Sequence, residues 1–271
     1  MPAAGLWLCA HISDLHVVAP GELAGGAVDT LPFLVAAVDQ LNRLDPRPDL
    51  VIATGDLVDE GRADQYRQLA ATVAALEAPL RLVPGNHDDR DQLRAAFPDH
   101  DYLGRGPTVD YVVDGPVRLV VLDSLVPGAP GGRLTRRQLD WLDAALAAEP
   151  ERPAIVALHH PPFPTGIGHM DRMALDDLSS RRLADVIGRH PRVERVVCGH
   201  LHRTISRRFA GSVAATVPSV AHAVTLELRP GGPAAWTLEP PAITLYLWRP
   251  DLGLVAHQLP IGSFEVGRYT S

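Results

Sequence analysis

Short clusters of histidine, aspartate, asparagine and glycine follow several apolar stretches of the sequence. They read HISDLH at 11–16, TGDLVDEG at 54–61, PGNHDD at 84–89, LHHPP at 158–162 and CGHLH at 198–202. Neutral imidazole nitrogen, carboxylate oxygen and amide oxygen are all ligands that zinc, manganese, iron and cobalt accept. The residue types in these clusters therefore predict a metal site.

The number of candidate ligands indicates two metal ions rather than one. A tetrahedral ion takes four ligands, and the clusters offer more than that. A pair of ions bridged by one carboxylate uses all of them, and two ions roughly 3.5–4 Å apart can clamp an in-line phosphoryl displacement. The candidates are Asp14, His16, Asp56, Asn86, His159, His200 and His202.

The apolar stretches before the clusters have the length and composition of β-strands, and amphipathic stretches with helical periodicity lie between them. Leu34, Val38 and Leu41 show the three- and four-residue spacing of one buried helix face. Thr135 and Gln138 have the spacing of a capping box. Strands are predicted at 6–12, 50–54, 80–84, 117–123, 154–158 and 193–198, and helices at 32–44, 62–76, 90–97, 135–148 and 179–189.

This alternation of strands and helices predicts a mostly parallel sheet with helices outside it. The carboxyl ends of parallel strands share one edge, where ligands bind, so the clusters are expected to converge in space. Asp14 and His16 are two residues apart, as are His200 and His202. In an extended segment the members of such a pair point to the same side, and the leucine between them points away.

The sequence changes character after residue 200. The stretches ISRRF, SVAATV, AVTLEL, AITLYLW and LVAHQL are short, β-rich and separated by proline and glycine. They predict a second, more antiparallel sheet packed on the first, and PGGP at 230–233 predicts a hairpin. We expect one domain over residues 1–271, with 203–271 as the β-rich part of the second sheet and a source of oligomer contacts.

Composition and charge exclude several classes of protein. Apolar residues make up 46 % of the chain and charged residues 21 %, as in ordinary globular proteins. The formal net charge of −7 opposes a broad basic surface for duplex nucleic acid. The first residues lack the basic start of a signal peptide, and the longest uncharged stretch, 209–226, contains glycine, proline and histidine, unlike a membrane span. Cys9 and Cys198 lie in apolar runs, so we expect buried thiols in a cytoplasmic protein.

The motifs D-x-H, G-D, G-N-H-D, H-H-P-P and G-H-x-H, in this order over residues 11–202, resemble those of the calcineurin-like binuclear metallophosphoesterases. Within that family the sequence is most similar to bacterial class III cyclic-nucleotide phosphodiesterases and related glycerophosphodiesterases. The segments PTGIGHMD at 164–171 and VPSVAHAV at 217–224 share this likeness. The resemblance implies an α/β fold, a four-layer α-β-β-α sandwich of two mixed sheets flanked by helices, with the metal site at the carboxyl ends of strands.

The resemblance also implies a role for each motif residue. Asp14, His16 and His202 would hold one divalent ion, Asn86, His159 and His200 the other, and Asp56 would bridge the two, which could be iron, manganese, zinc or cobalt. His87 would face the phosphate and assist departure of the leaving oxygen. Asp88 would orient a neighbouring histidine, and His160 would lie behind the ligand His159. His169 and His222 are candidates to line the cleft, and Asp171 to support it or fix a loop.

The activity that follows is hydrolysis of a small phosphodiester, a cyclic nucleotide or a glycerophosphodiester, by a metal-bridging hydroxide. A phosphomonoesterase or protein phosphatase of the same superfamily is the alternative, and a scaffold without metals is disfavoured because none of the seven ligands is missing. Aromatic residues are only 5 % of the chain, and no platform for stacking a base is evident, so a glycerol-type diester remains open.

Two further interpretations concern single residues. Asp59 reads as a helix-start charge, and Gly55, Gly85 and Gly199 as tight exits from their strands. The resemblance also implies a homo-oligomer.

Overall fold

A computed structural model describes residues 5–268 of the chain, which form alternating strands and helices. In chain order the elements are β1 (Trp7–Ile12), α1 (Leu31–Asn42), β2 (Leu50–Thr54), α2 (Ala63–Val73), β3 (Leu80–Val83), α3 (Arg90–Ala96), a 3-10 turn (Asp101–Leu103), β4 (Tyr111–Val113), β5 (Arg118–Val121), α4 (Arg136–Ala147), β6 (Ala154–Leu158), α5 (Gly168–Asp171), α6 (Asp177–Arg189), β7 (Val193–Cys198), β8 (Ile205–Phe209), β9 (Ser212–Thr216), β10 (Ala223–Val224), β11 (Trp236–Thr237), β12 (Ala242–Arg249) and β13 (Gly253–Pro260). Each helix and strand predicted before residue 200 is present, with ends that differ by a few residues.

Two mixed sheets form the centre of the fold. The first has the strand order β13-β12-β1-β2-β3, and the second has the order β4-β5-β6-β7-β9-β8. Strands β1, β2 and β3 are parallel to one another, as are β5, β6, β7 and β9. Antiparallel strands complete both sheets, with β12 beside β1 and β4 beside β5.

The distribution of strands between the sheets differs from the sequence prediction. The strands before residue 200 divide between the two sheets, because β3 is an edge strand and β5 pairs with β4 and β6. The strands after residue 203 do not form the single antiparallel sheet that was predicted: β8 and β9 extend the second sheet, β12 and β13 extend the first, and only β10 and β11 form a small two-stranded sheet of their own. Periodicity predicts where strands lie, but strand pairing depends on contacts between distant parts of the chain, such as Ala10 with Leu245.

The predicted hairpin around PGGP is present in a shorter form than the apolar pattern indicated. Of the stretch AVTLEL only Ala223 and Val224 are in a strand, and they pair with Thr237 and Trp236. The remaining leucines of that stretch are exposed. A strand with one short partner buries little apolar surface, so the ladder ends early.

Side chains along β5 alternate between two apolar cores. Leu119 and Val121 pack with the strands of the first sheet, whereas Val120 and Leu122 pack with α4 and α6. Helices α1 and α2 cover the other face of the first sheet. The order of layers is therefore helix, sheet, sheet, helix, as predicted.

Three helices, α3, α4 and α6, begin where a local side chain binds free N–H groups of the first turn. The capping box of α4 is confirmed, because Thr135 accepts from the N–H of Gln138 and the Gln138 side chain accepts from the N–H of Thr135. Asp89 caps α3 and Asp176 caps α6 in the same position. Within residues 5–268 no helix is both long and apolar enough to cross a bilayer.

Candidate metal centre

The predicted ligands come together where strands of both sheets end. Asp14 and His16 follow β1, Asp56 follows β2 and Asn86 follows β3, all in the first sheet. The ligands from the second sheet follow β6 and β7, and they are His159, His200 and His202. All of these side chains are buried except that of Asn86, which is partly exposed.

The backbone at these positions is in the left-handed region. Six non-glycine residues of the described chain have positive φ, and five of them are predicted ligands: Asp14, His16, Asp56, His200 and His202. The segments around the D-x-H and H-x-H pairs are therefore not extended, which corrects the geometry predicted for them. Left-handed conformations disfavour residues with a Cβ, and they cluster at functional sites where the surrounding structure holds them.

The compact turn nevertheless separates polar from apolar side chains as expected. The N–H of Asp14 donates to the carbonyl of Gly55, and the N–H of His16 donates to that of Asp56. Leu15 and Leu201 are buried in apolar clusters, while their histidine and aspartate neighbours face the site. Backbone hydrogen bonds between the β1 and β2 exits thus take the place of an extended ladder.

Four side chains form a first ligand cluster in which one donor atom of each lies within 4.8 Å of the others; they are Asp14, His16, Asp56 and His202. Nε2 of His16 lies 3.3 Å from Nε2 of His202. Oδ1 of Asp14 lies 3.6 Å from the same His202 atom. Both oxygens of Asp14 also accept from the N–H of His200, which ties the β1 and β7 exits together.

A second ligand cluster surrounds Nε2 of His159. This atom lies 3.1 Å from Oδ1 of Asn86 and 3.3 Å from Nδ1 of His200. Oδ2 of Asp56 lies 3.4 Å from it. The same Asp56 oxygen lies 3.7 Å from Nε2 of His16 in the first cluster, so one carboxylate oxygen faces both clusters.

The hydrogen bonds of the histidines show that both clusters fit a cation. Nδ1 of His16 donates to Asp59, Nδ1 of His202 donates to the carbonyl of His222, and Nδ1 of His159 donates to the carbonyl of Thr54. In the neutral rings Nε2 is then a lone pair, and the lone pairs of His16 and His202 face each other at 3.3 Å. Acceptors that converge without a donor repel one another unless a positive charge lies between them. The donor set therefore fits metal ions.

The choice between the two histidines of HHPP is clear from their partners. Nδ1 of His160 accepts from the hydroxyl of Ser124 at 2.8 Å, and its Nε2 donates to the carbonyl of Pro130 at 3.2 Å. Both ring nitrogens of His160 are therefore engaged by other groups, although one of them lies within 4.8 Å of donor atoms of His159 and His200. His159 alone of the pair directs a free nitrogen to Asp56 and Asn86.

Two acidic residues have roles other than those predicted. Asp88 contacts no histidine ring; it accepts from the N–H groups of Gly85, Leu57 and Val58 and from the hydroxyl of Tyr66, and so joins the exits of β2 and β3.

Asp59 is the residue that orients a histidine, since its Oδ1 accepts from Nδ1 of His16 at 3.0 Å. The reading of Asp59 as a helix-start charge missed this contact. A carboxylate three residues after the ligand Asp56, close enough to support a neighbouring histidine, was the available signal.

Two glycines allow the close approach of backbone and ligands that the sequence predicted. A Cβ at Gly199 would lie 1.9 Å from the hydroxyl of Ser13, and one at Gly85 would lie 2.3 Å from Oδ1 of Asp56. Real Cβ atoms do not come so close to other heavy atoms. The carboxyl ends of β3 and β7 can therefore pack against the ligands only with glycine at these positions.

The electrostatics of the site favour added positive charge. Burial lowers the pKa of His159, but the charge and hydrogen bond of Asp56, the charge of Asp14 and the hydrogen bond to Thr54 together outweigh burial and raise that pKa to about 9. Burial raises the pKa of Asp56, yet His159 and its neighbours hold it well below the usual range. Burial also lowers the pKa of His202 to about 3, which keeps this ring neutral and able to bind a metal. Asp56 is thus an anion, and a proton on His159 supplies the balancing charge that a metal ion would otherwise provide.

The remaining predicted residues lie at different distances from the clusters. His87 donates from Nδ1 to the carbonyl of Asp59, and its ring lies 4.7 Å from that of His16. The ring of His222 lies 4.6 Å from that of His202. His169 is in α5, and within the described residues its ring belongs to neither cluster. Asp171 fixes a loop, because its carboxylate accepts from Thr165 and Gly166.

One aromatic residue near the site was not singled out from the sequence. Trp236 in β11 lies nearly perpendicular to the ring of His222, with centroids 6.4 Å apart. It is outside every motif, and its neighbourhood depends on the pairing of β10 with β11. Sequence patterns alone offered no signal for it.

Known proteins resemble this chain in sequence and in fold. The profile of the family described as calcineurin-like phosphoesterase matches residues 9–204. The chain is 36 % identical over 256 residues to a probable glycerophosphodiester phosphodiesterase of Arcobacter nitrofigilis, covering 94 % of this chain and 93 % of that protein. It is 35 % identical over 202 residues to a 3′,5′-cyclic adenosine monophosphate phosphodiesterase of Pseudomonas aeruginosa, covering 74 % of this chain and 71 % of the other. A dimetal phosphatase from Danio rerio shares the fold, with a TM-score of 0.66 at 17 % identity, covering 95 % of this chain and all of that one.

Proposed function

The chain belongs to the calcineurin-like phosphoesterases, and we propose that it is a binuclear metal-dependent enzyme that hydrolyses small phosphodiesters. Relatives at 36 % and 35 % identity are named as phosphodiesterases for a glycerophosphodiester and for cyclic adenosine monophosphate. A diester of one of these two classes is therefore the proposed substrate.

The observation that carries the proposal is the position of Oδ2 of Asp56. This oxygen lies 3.7 Å from Nε2 of His16 and 3.4 Å from Nε2 of His159, which belong to different ligand clusters. The other oxygen, Oδ1, accepts from the N–H of His87 at 3.0 Å and is held in place by it. A carboxylate fixed in this way can serve as a ligand common to two ions.

The two clusters would hold the ions as follows. Asp14, His16 and His202 complete one site around Asp56, and Asn86, His159 and His200 complete the other. Mixed nitrogen and oxygen donors accept iron, manganese, zinc or cobalt, so the donor set leaves the metal open among these four. When bound, such ions neutralise phosphate oxygens and lower the pKa of water enough to supply hydroxide as a nucleophile near neutral pH.

His87 is the proposed proton donor to the leaving oxygen. Its Nδ1 donates to the carbonyl of Asp59 at 2.6 Å, so Nε2 is the nitrogen that remains free to hold or transfer a proton. Its backbone N–H is bound to Asp56, which fixes the residue beside the shared carboxylate. A protonated Nε2 can donate to an alkoxide as the phosphorus–oxygen bond breaks. Asp59 thus supports two histidines, His16 through its side chain and His87 through its carbonyl.

The experiment compares a diester with a monoester. The protein is stripped with EDTA, reloaded with manganese, cobalt, zinc or iron, and assayed with bis(p-nitrophenyl) phosphate and p-nitrophenyl phosphate. We expect faster hydrolysis of the diester, restored by metal. Preference for the monoester would assign the protein to the phosphatases, and full metal occupancy without hydrolysis would indicate a scaffold.

Two further predictions are part of the proposal. The family resemblance implies a homo-oligomer, and the buried cysteines predict a cytoplasmic location. Light scattering on the purified protein tests the first, and fractionation of the source cells tests the second. A monomer at micromolar concentration would contradict the expected assembly.

A further inference from the structure

The hairpin of β10 and β11 places a half-exposed indole beside the first ligand cluster. Trp236 is 50 % exposed, although large aromatic side chains are usually well covered. Its ring lies at 80° to the ring of His222, with centroids 6.4 Å apart. The His222 ring in turn lies 4.6 Å from that of His202 and 5.3 Å from that of His16. The ring of His222 therefore lies between the indole and two of the proposed ligands, His16 and His202.

Packing fixes the hairpin with respect to the metal centre. Trp236 is the register partner of Val224, and the N–H of Thr225 donates to the carbonyl of Ala235 at 2.9 Å. Val224 is buried in a small apolar cluster with Leu201, Ile167 and Met170. Leu201 is the residue between the ligands His200 and His202. The apolar cluster thus connects the position of the indole to the position of the ligands.

From these contacts we propose that Trp236 determines substrate specificity by stacking on a planar aromatic group of the phosphodiester. The preferred substrates would then be diesters that carry a nucleobase, rather than diesters of glycerol alone. This inference rests on the proposed function and narrows its substrate class. An indole face accepts any base, and such stacking is sequence-tolerant in other proteins that bind bases.

The kinetic test uses the metal-loaded full chain with two substrates, 3′,5′-cyclic adenosine monophosphate and glycerophosphoglycerol. For Trp236→Ala we expect KM for the cyclic nucleotide to rise by about 5- to 150-fold, the range for loss of one base stack, with little change in kcat. For glycerophosphoglycerol, which has no aromatic group, KM and kcat should both stay within about twofold of the wild-type values, since no stacking partner is lost. Trp236→Phe retains an aromatic face and should retain most of the affinity.

Leu252→Ala is the matched control. The side chain of Leu252 is 52 % exposed, a fraction similar to the 50 % of Trp236. Leu252 lies in the turn between β12 and β13. Because β12 runs antiparallel to β1, this turn is at the end of the sheet away from the metal centre. Removing this apolar side chain should change neither substrate's kinetics.

A binding measurement separates failure of this inference from failure of the proposed function. Calorimetry with adenosine 5′-monophosphate and glycerol 3-phosphate reports the affinity for the two kinds of product without turnover. We expect Trp236→Ala to weaken binding of the nucleotide by the same factor as KM and to leave glycerol 3-phosphate unchanged. If the wild type hydrolyses glycerophosphoglycerol but binds adenosine 5′-monophosphate no more tightly than glycerol 3-phosphate, the stacking role is overturned. The proposed phosphodiesterase function then stands.

Other outcomes are equally decisive. An equal loss for both substrates, or a changed oligomeric state in light scattering, would show that Trp236 acts on the structure of the hairpin and would overturn the proposal. No change for either substrate would overturn it as well. If the wild type hydrolyses neither diester with any metal, the proposed function fails, and the nucleotide affinity of Trp236→Ala still decides whether the indole stacks.

Discussion

Nδ1 of His16 donates a 3.0 Å hydrogen bond to Oδ1 of Asp59, a residue 43 positions later in the chain. The other carboxylate oxygen of Asp59 accepts from the N–H of Gly25 at 3.1 Å, so the acceptor is itself held. Burial lowers the pKa of His16, but the bond to Asp59 and the nearby carboxylates raise it above the ordinary value. The pair fixes the tautomer of His16 and makes Nε2 a stronger donor to a metal.

Replacing Asp59 by asparagine should therefore weaken metal binding at the first cluster. The loss of a supporting carboxylate typically costs about 10- to 100-fold in metal affinity. Calorimetric titration of the EDTA-treated protein should show one binding step weakened by this factor and the other unchanged. Asp64→Asn is the control, because Asp64 is a half-exposed acid in the first turn of α2 that pairs with Arg62. Equal affinities in Asp59→Asn and wild type would contradict the role of Asp59.

His87→Ala should separate catalysis from metal binding. Because His87 is not among the seven ligands, the variant should retain both ions, while loss of a general acid should lower kcat by about 10²- to 10⁴-fold. Metal content by mass spectrometry and diester hydrolysis are measured on the same preparation. His100→Ala is the matched histidine control, since His100 contacts Tyr102 away from the clusters. Loss of one ion in His87→Ala would mean that His87 is a ligand rather than a proton donor.

Gly199→Ala should destabilise the protein, because its Cβ would lie 1.9 Å from the hydroxyl of Ser13 and 2.9 Å from the carbonyl of Thr54. Overpacking of this kind costs about 1–3 kcal/mol. Urea denaturation of metal-free protein measures the change. Gly188→Ala in α6 is the comparison: its Cβ meets nothing closer than 3.9 Å, and alanine is favoured over glycine within a helix. We expect the free energy of unfolding to fall in Gly199→Ala and to rise in Gly188→Ala. A Gly199→Ala variant as stable as wild type would contradict the close packing at Gly199.

Histidine burial predicts a pH dependence of stability that a single variant can isolate. Burial lowers the pKa of His11 from 6.5 to about 3. Below pH 6.5 the unfolded chain binds a proton at this residue that the folded chain does not, so stability is lost as the pH falls from 6.5 towards 3. At pH 5 this one group should cost about 2 kcal/mol relative to pH 7.5.

The measurement compares urea unfolding of wild type and His11→Gln at pH 7.5 and pH 5.0, both with EDTA. Other buried groups titrate equally in the two proteins, so the difference between them reports His11. The wild type should lose about 2 kcal/mol more than the variant on going to pH 5. Parallel losses would show that His11 keeps its ordinary pKa in the folded protein.

Much of the site could be predicted from the sequence because its ligands are short-range features of strand ends. Asp14, Asp56 and His159 each come within two residues of the end of a recognisable apolar run, and parallel strands bring such ends to one edge. The left-handed backbone at Asp14 and His16 could not be read in this way. Their conformation depends on hydrogen bonds to the exit of β2, about 40 residues further on.

The features that the sequence did not reveal depend on long-range contacts. The division of the strands into two sheets follows from pairs such as β1 with β12, whose partners are separated by most of the chain. The support of His16 by Asp59 and the position of Trp236 beside His222 are contacts of the same kind. Local propensity carries no information about which distant segments meet, and that is where the predictions were incomplete.

The metal content of Asp56→Ala tests the central claim most directly. Wild-type protein, reloaded with manganese and dialysed, should contain two ions per chain, because Oδ2 of Asp56 faces both ligand clusters. The variant loses the ligand common to both sites, so it should retain less than one ion per chain and show no diester hydrolysis. A variant with two ions and wild-type turnover would contradict the account, since Asp56 would then bridge nothing.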